Sequence, residues 1–175
     1  NVDGSGKGDR ARFEANLRRH GVRNERACIR PVNSLRLVPE QVLADGGGPA
    51  RLFSVDGGHT AAITTSDLRL AERSLCAGGL VLLDDVFNED WPAVAEGALR
   101  HLSGPTELVP VAIGGNKLVF TNRAEHAAAY RQALDGLRGT FGLREQVFLG
   151  RPVTIVTAPA HSPLRRAITG SAPWR

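Results

Sequence analysis

The chain has 175 residues, of which 42% are hydrophobic, 5% are aromatic and 23% are charged, and its net charge is +4. This length and apolar content suit one ordinary domain with a hydrophobic core. The cations are scattered and few aromatic rings are available to stack on bases, so nucleic-acid binding is not expected. No apolar run is long enough for a membrane span. Two cysteines without metal-ligand spacing suit a reducing compartment, which predicts a cytoplasmic protein.

The first half of the chain alternates helical patterns with short apolar runs. Asp9 can cap a first helix, which ends near Gly21, and Gly78-Gly79 is predicted to turn the chain into a buried strand. In chain order the predicted elements are a helix over 9–20, a strand over 27–30, a helix over 40–44, a strand over 51–55, a helix over 65–75 and a strand over 80–83.

The second half contains the clearest hairpin pattern of the chain. The predicted elements are a helix over 92–102, strands over 108–113 and 117–121 around Gly114-Gly115-Asn116, a helix over 123–137 and a strand-like stretch over 146–156 that is interrupted at Gly150 and Pro152. This order predicts an α/β three-layer sandwich with a mostly parallel sheet and an antiparallel hairpin toward the C-terminus. Residues 1–156 are expected to form the domain and residues 157–175 a tail.

Acidic residues follow two consecutive apolar strands of the predicted sheet. Asp56 ends the first strand, and Asp84-Asp85 ends the second. Neighbouring parallel strands lie about 4.8 Å apart, so their tips can bring three carboxylates to one place. Such a cluster suits a hard divalent cation, Mg²⁺ above all. His59 lies in the loop after Asp56 and is a candidate general base. The alternative interpretation is that the acids cap the following helices or are solvated.

These residues resemble those of a known enzyme family. The similar segments are Val55-Asp56-Gly57-Gly58-His59-Thr60, residues 67–71, Gly78-Gly79, Asp84-Asp85, Asn88, residues 91–97 and Asn116-Lys117. They resemble the bacterial class I methyltransferases near the sugar and catechol O-methyltransferases, over Asn1 to about Leu137. The resemblance implies a Rossmann-like methyltransferase fold, S-adenosylmethionine as cofactor and a small-molecule hydroxyl as acceptor.

The resemblance also implies roles for individual residues. In metal-dependent members the acid after the fourth strand and the acidic pair after the fifth bind Mg²⁺, which assigns Asp56, Asp84 and Asp85 to the metal. A lysine three positions after the first acid is the base of the catechol enzymes, and His59 occupies that position here. Asn33 and Ser34 would lie near the adenine-binding turn, and Asp56 would also border the cofactor. The family's first strand and its glycine-rich cofactor motif would precede Asn1, so a longer chain is expected to bind S-adenosylmethionine and this one is not.

Two other functions remain open at this point. The chain can be a non-catalytic remnant of the methyltransferase fold that serves as an interaction module, because a fold alone does not fix a function. A metal-dependent hydrolase that uses the same carboxylates is the third reading. No membrane or nucleic-acid partner is expected, and exposed sheet edges would favour pairing of two copies.

Overall fold

The computed structural model describes residues 9–22 and 27–159. Within them the helices are Arg10–Arg19 (α1), Pro39–Gly46 (α2), Ala61–Ser74 (α3), Pro92–Leu102 (α4) and Ala124–Asp135 (α5), with a 3₁₀ turn at Ser34–Arg36. The strands are Ala50–Val55 (β1), Leu75–Leu83 (β2), Val109–Gly114 (β3), Lys117–Thr121 (β4), Gly142–Phe148 (β5) and Arg151–Thr157 (β6). Residues 1–8 and most of the predicted tail, from residue 160 onward, lie outside the described residues.

The six strands form one sheet in the order β1-β2-β4-β3-β6-β5. The pairs β1–β2 and β3–β6 are parallel, whereas β2–β4, β3–β4 and β5–β6 are antiparallel. The predicted α/β, Rossmann-like fold is confirmed. The sheet is mixed rather than mostly parallel, because the second half of the chain returns through two hairpins instead of helical crossovers.

Side chains that alternate along β4 separate the two faces of the sheet. Leu118 and Phe120 are fully buried in a core cluster with residues of α3 and α4, such as Leu68 and Val94. Val119, between them in the chain, packs instead into a second cluster with residues of α5. Because neighbouring strand residues point to opposite faces, α3 and α4 cover one face and α5 covers the other. This arrangement is the predicted three-layer sandwich.

Local signals in the sequence explain where several helices begin. The Asp9 carboxylate accepts a hydrogen bond from the Arg12 backbone N–H at 2.9 Å, and α1 follows directly. Pro92 occupies the first position of α4, where a missing N–H costs nothing. The helix predicted over 65–75 begins four residues earlier, at Ala61, because the Thr60 hydroxyl caps it.

Gly78 and Gly79 lie inside β2 and not in a turn before it. Gly78 has a φ of +72°, and the pairing of β1 with β2 shifts register at this level. A Cβ on Gly79 would lie 2.9 Å from the carbonyl oxygen of Ala50 on β1. The two glycines therefore form an irregularity within the strand, and β2 starts at Leu75 rather than at residue 80.

Two predicted strands, over 27–30 and over 146–156, differ from the structure. Residues 27–30 form no strand, and within the described part of the chain β1 pairs only with β2, so they do not extend the sheet at its β1 edge. The stretch 146–156 is two strands, β5 and β6, joined at Leu149-Gly150, both with positive φ. The predicted interruption at Gly150 is thus confirmed, whereas Pro152 lies within β6, opposite Val147.

Helices α3 and α4 pack unusually closely. A Cβ on Gly97 of α4 would lie 2.7 Å from both the Ala61 carbonyl oxygen and the Thr64 Cβ of α3. The Thr65 hydroxyl lies 2.7 Å from the Ala61 carbonyl oxygen and 3.0 Å from the Gly97 carbonyl oxygen, and so links the two helices. No helix within the described ranges has the length and apolar character needed to cross a membrane.

Candidate functional site

The site is built on the carboxyl ends of the parallel neighbours β1 and β2. Val55 pairs with Leu83 at the last rung of the ladder, and the Asp84 backbone N–H donates to the Val55 carbonyl oxygen at 3.0 Å. Asp56 and Asp84 therefore leave the sheet side by side, as the apolar runs before them predicted. Ligands of open α/β sheets bind at this edge.

Asp85 is held at the centre of the site by three neighbouring side chains. Its Oδ1 accepts hydrogen bonds from the amides of Asn88, at 2.9 Å, and Asn116, at 2.7 Å. Its Oδ2 lies 3.0 Å from Nε2 of His59. The backbone of Asp85 has a φ of +59°, in the left-handed region that non-glycine residues seldom adopt. This conformation turns the carboxylate away from the path of β2 and toward the loop after β1.

Asp56, His59 and Asp85 together can offer ligands to one cation. One ligand atom from each of the three residues lies within 4.8 Å of the other two. Two carboxylates and an imidazole suit a small divalent ion, since carboxylates favour Mg²⁺ and Mn²⁺ and imidazole is accepted by the softer members of the series. The donor set therefore fits a divalent cation.

Asp84, the third predicted metal residue, has a different environment. Its Oδ2 forms an ion pair with the ammonium group of Lys117 at the start of β4. Its Oδ1 accepts the backbone N–H of Asp85 at 2.8 Å. The structure thus brings Asp84 to the same strand tips, where its side chain fixes the turn into Asp85 and places a positive charge beside the cluster.

The pKa of the Asp56 carboxyl responds to burial and to the neighbouring acids. Loss of hydration at the strand tips raises the pKa of the Asp56 carboxyl, and the negative charges of Asp84 and Asp85 raise it further. Lys117 and His59 oppose this rise in pKa. Asp56 remains exposed, so it is the member of the cluster that solvent or a ligand can reach most directly.

The imidazole of His59 is fixed on two sides. Its ring stacks on the indole of Trp91, with the centroids 4.5 Å apart and the planes inclined by 15°. Nε2 faces Asp85, whereas the buried Nδ1 has no hydrogen-bond partner among the described residues. Trp91 directly precedes α4, so the stack joins the loop after β1 to the loop after β2. Trp91 is therefore the platform on which the His59 ring rests.

A further acid, Asp67 of α3, lies beneath the loop that carries His59. It is 7% exposed, and its Oδ1 has no hydrogen-bond partner within the described part of the chain. Burial raises the pKa of the Asp67 carboxyl, and the Ser34 hydroxyl opposes the rise. A Cβ on Gly57 would lie 2.8 Å from Oδ2 of Asp67, so only glycine fits above it.

Asn33 and Ser34, predicted to border the cofactor, lie at the 3₁₀ turn next to α3. The Asn33 side chain accepts the Leu35 backbone N–H at 3.0 Å and caps this turn. Ser34 reaches Asp67, and neither Asn33 nor Ser34 belongs to the group of cation ligands around Asp85. Their role in cofactor binding stays a prediction.

Several residues of the site received no role from the sequence. Asn116 lies in the hairpin turn after β3 and Lys117 begins β4, and they reach the acids only because β4 pairs with β2. That strand order is not encoded in any local motif. Asp67 carried a usable signal, because it is an acid on the helix stripe that also contains the fully buried Leu68 and Ala71.

Residues 2–86 match a family model described as a methyltransferase domain. The matched stretch contains Asp56, His59, Asp67, Asp84 and Asp85. The match supports a class I, S-adenosylmethionine-dependent methyltransferase family, with S-adenosylmethionine as the cofactor that such a family implies. No curated protein and no solved structure matches the chain.

Proposed function

We propose that this protein is a metal-assisted O-methyltransferase that acts on a hydroxyl group of a small molecule. The observation that carries this proposal is the group formed by Asp56, His59 and Asp85, whose ligand atoms lie within 4.8 Å of one another at the carboxyl edge of the sheet. The methyltransferase match over residues 2–86 supports the reaction class, and the sheet edge supports the place of the chemistry.

Each residue of the group has a part in this proposal. Asp56 and Asp85 hold the divalent cation through their carboxylates, and Asn88 and Asn116 keep Asp85 in position by donating to its other oxygen. The cation, when bound, lowers the pKa of an acceptor hydroxyl. The cofactor S-adenosylmethionine, when bound, supplies an electrophilic methyl group.

His59 is the proposed base. Its Nε2 lies 3.0 Å from the Asp85 carboxylate, beside the proposed cation, so it would lie near a hydroxyl bound there. The stack on Trp91 restricts the ring to one plane, so the base is oriented before a substrate arrives. In the methyl transfer that S-adenosylmethionine would supply, Nε2 of His59 would accept the proton of the acceptor hydroxyl.

Binding of Mn²⁺, followed by electron paramagnetic resonance, tests the metal part of the proposal without any need for a substrate. Wild-type protein is expected to bind one Mn²⁺ that excess Mg²⁺ displaces, and Asp85→Asn is expected to weaken binding by about 10–100-fold. The matched control is Asp90→Asn, which removes the same charge from an exposed position five residues away. Equal Mn²⁺ affinity in the Asp85 and Asp90 variants would refute the site.

Methyl transfer is measured with S-adenosylmethionine labelled in its methyl group and a panel of sugars, phenols and hydroxy acids. Transfer should require Mg²⁺ or Mn²⁺ and stop on chelation. His59→Gln should lower the turnover rate by about 100-fold or more while Mn²⁺ still binds. A His59→Gln variant that loses Mn²⁺ instead would identify the imidazole as a ligand, and transfer unaffected by chelation would exclude the metal-assisted mechanism.

A further inference from the structure

A small cavity lies between α3 and the loop after β1, directly below the candidate site. It is lined by strand-tip and loop residues together with residues of α3 and α4, namely Val55, Asp56, Gly57, Gly58, His59, Thr64, Asp67, Leu83, Asp84 and Val94. The space within it that the centre of a water molecule can occupy is about 10 Å³. A cavity that admits the centre of a water molecule and is lined by polar atoms can hold an ordered water.

Two residues that line this cavity each carry a buried polar atom without a partner in the described part of the chain. These atoms are Oδ1 of Asp67 and Nδ1 of His59. A buried polar atom that makes no hydrogen bond costs about 1–3 kcal/mol, and native proteins commonly satisfy such atoms with an internal water. One water that contacts both atoms would satisfy both at once.

We propose that Asp67 positions His59 through a single buried water that bridges Oδ1 of Asp67 and Nδ1 of His59. The bridge fixes the ring from the side opposite to Asp85, while the stack on Trp91 fixes its plane. Asp67 lies outside the group of candidate cation ligands, so we assign it as a positioning residue. Gly57 permits this arrangement, because any side chain there would collide with the Asp67 carboxylate.

The bridge has a consequence for the base, and this part rests on the proposed function. Nε2 can accept a proton only when the ring proton is on Nδ1, and the hydrogen bond of one ring nitrogen selects the state of the other. A water that donates to the Asp67 carboxylate can accept a hydrogen bond from Nδ1–H. With the Asp85 carboxylate engaged by a cation, Nε2 would have no acceptor there, and the water bridge would favour the ring proton on Nδ1.

The first test is a high-resolution crystal structure of the unaltered protein. A water is expected within about 2.6–3.2 Å of both Oδ1 of Asp67 and Nδ1 of His59. A cavity without water, or a water that contacts only one of the two atoms, would overturn the proposal. This result depends neither on metal binding nor on methyl transfer, so its failure is separate from a failure of the proposed function.

The second test follows the histidine tautomer by nitrogen NMR in protein labelled at its five histidines, with the His59 signals assigned by their loss in His59→Gln. In Mg²⁺-saturated wild type the proton is expected on Nδ1. Asp67→Ala should shift the equilibrium toward Nε2–H, and Asp67→Asn, which keeps an oxygen acceptor, should restore the wild-type signals. An unchanged tautomer in Asp67→Ala would overturn the proposal.

Ser74→Ala is the matched control for these variants. Ser74 lies on the same helix as Asp67, is fully buried and also has an Oγ without a partner among the described residues, but it does not line the cavity. Its replacement should leave the His59 signals unchanged even where it alters stability. If Asp67→Ala does not fold, the crystal structure decides the question.

Discussion

Replacing Asp56 with asparagine is expected to stabilise the protein when no divalent cation is present. A ligand oxygen of Asp56 lies within 4.8 Å of one of Asp85. At that separation two unit charges repel by about 0.9 kcal/mol in water and by about 3.5 kcal/mol at an effective dielectric constant of 20. Asp56 is exposed and Lys117 offsets part of the repulsion, so the value in water is the better guide. The expected gain is about 0.5–1 kcal/mol, or a rise of about 1–4 °C in melting temperature.

A divalent cation should reverse this order of stability. A cation that binds only the folded protein stabilises it by about 2.7 kcal/mol at a free concentration of 100 times Kd. Wild-type protein should therefore melt at a higher temperature in saturating MgCl₂ than without it. The Asp56→Asn variant loses a ligand and should gain little, so that the two melting curves exchange places.

The pH dependence supplies an independent check on the same reasoning. The pKa of Asp56 is raised in the folded protein, so its contribution to stability is fully present below the ordinary aspartate pKa and is lost as the pH rises through the folded pKa. The advantage of Asp56→Asn should be largest at pH 7 and should disappear as the pH falls toward about 4. Thermal melts followed by circular dichroism, with Asp90→Asn as control, measure this. A lower melting temperature for Asp56→Asn at pH 7 without cation would assign Asp56 a structural role and refute the reasoning.

Two further predictions concern helix α4. Burial lowers the pKa of His101 although Glu72 lies 3.0 Å away. The contribution of His101 to stability is therefore present above about pH 6.5 and should be lost as the pH falls. The His101→Gln variant should lose less melting temperature than wild type between pH 7 and pH 5, and an equal loss would contradict this. Gly97→Ala should destabilise by about 1–3 kcal/mol in urea titrations because its Cβ would meet Thr64 at 2.7 Å. Gly139→Ala, where the added Cβ meets nothing within 4 Å, is the control, and equal values for the two variants would contradict the close packing.

The elements that the sequence predicts best are those with signals at both ends. Helix α4 has the predicted bounds because Pro92 favours the first turn and the apolar positions stop at Leu102. The hairpin of β3 and β4 has the predicted place because Gly115-Asn116 supports a two-residue turn. The strand expected over 27–30 fails because a strand needs a neighbour, and pairing is a property of the whole sheet rather than of four residues.

The candidate site was likewise predictable from the sequence only in part. Asp56 and Asp84-Asp85 could be placed together because each ends an apolar run, and parallel neighbours end at one edge. The ion pair of Lys117 with Asp84 could not be foreseen, since it depends on the antiparallel return of β4 beside β2. The orientation of Asp85 likewise depends on a left-handed backbone conformation that an aspartate adopts only when its surroundings impose it.

The tight contact of α3 with α4 has a mechanical consequence for the chemistry at the strand tips. The loop that carries His59 leads into α3, and the loop that carries Asp85 and Trp91 leads into α4. Since the helices approach backbone to backbone at Gly97 and share the Thr65 hydroxyl, we expect them to move together more readily than apart. His59, Trp91 and Asp85 would then keep their spacing when either loop shifts.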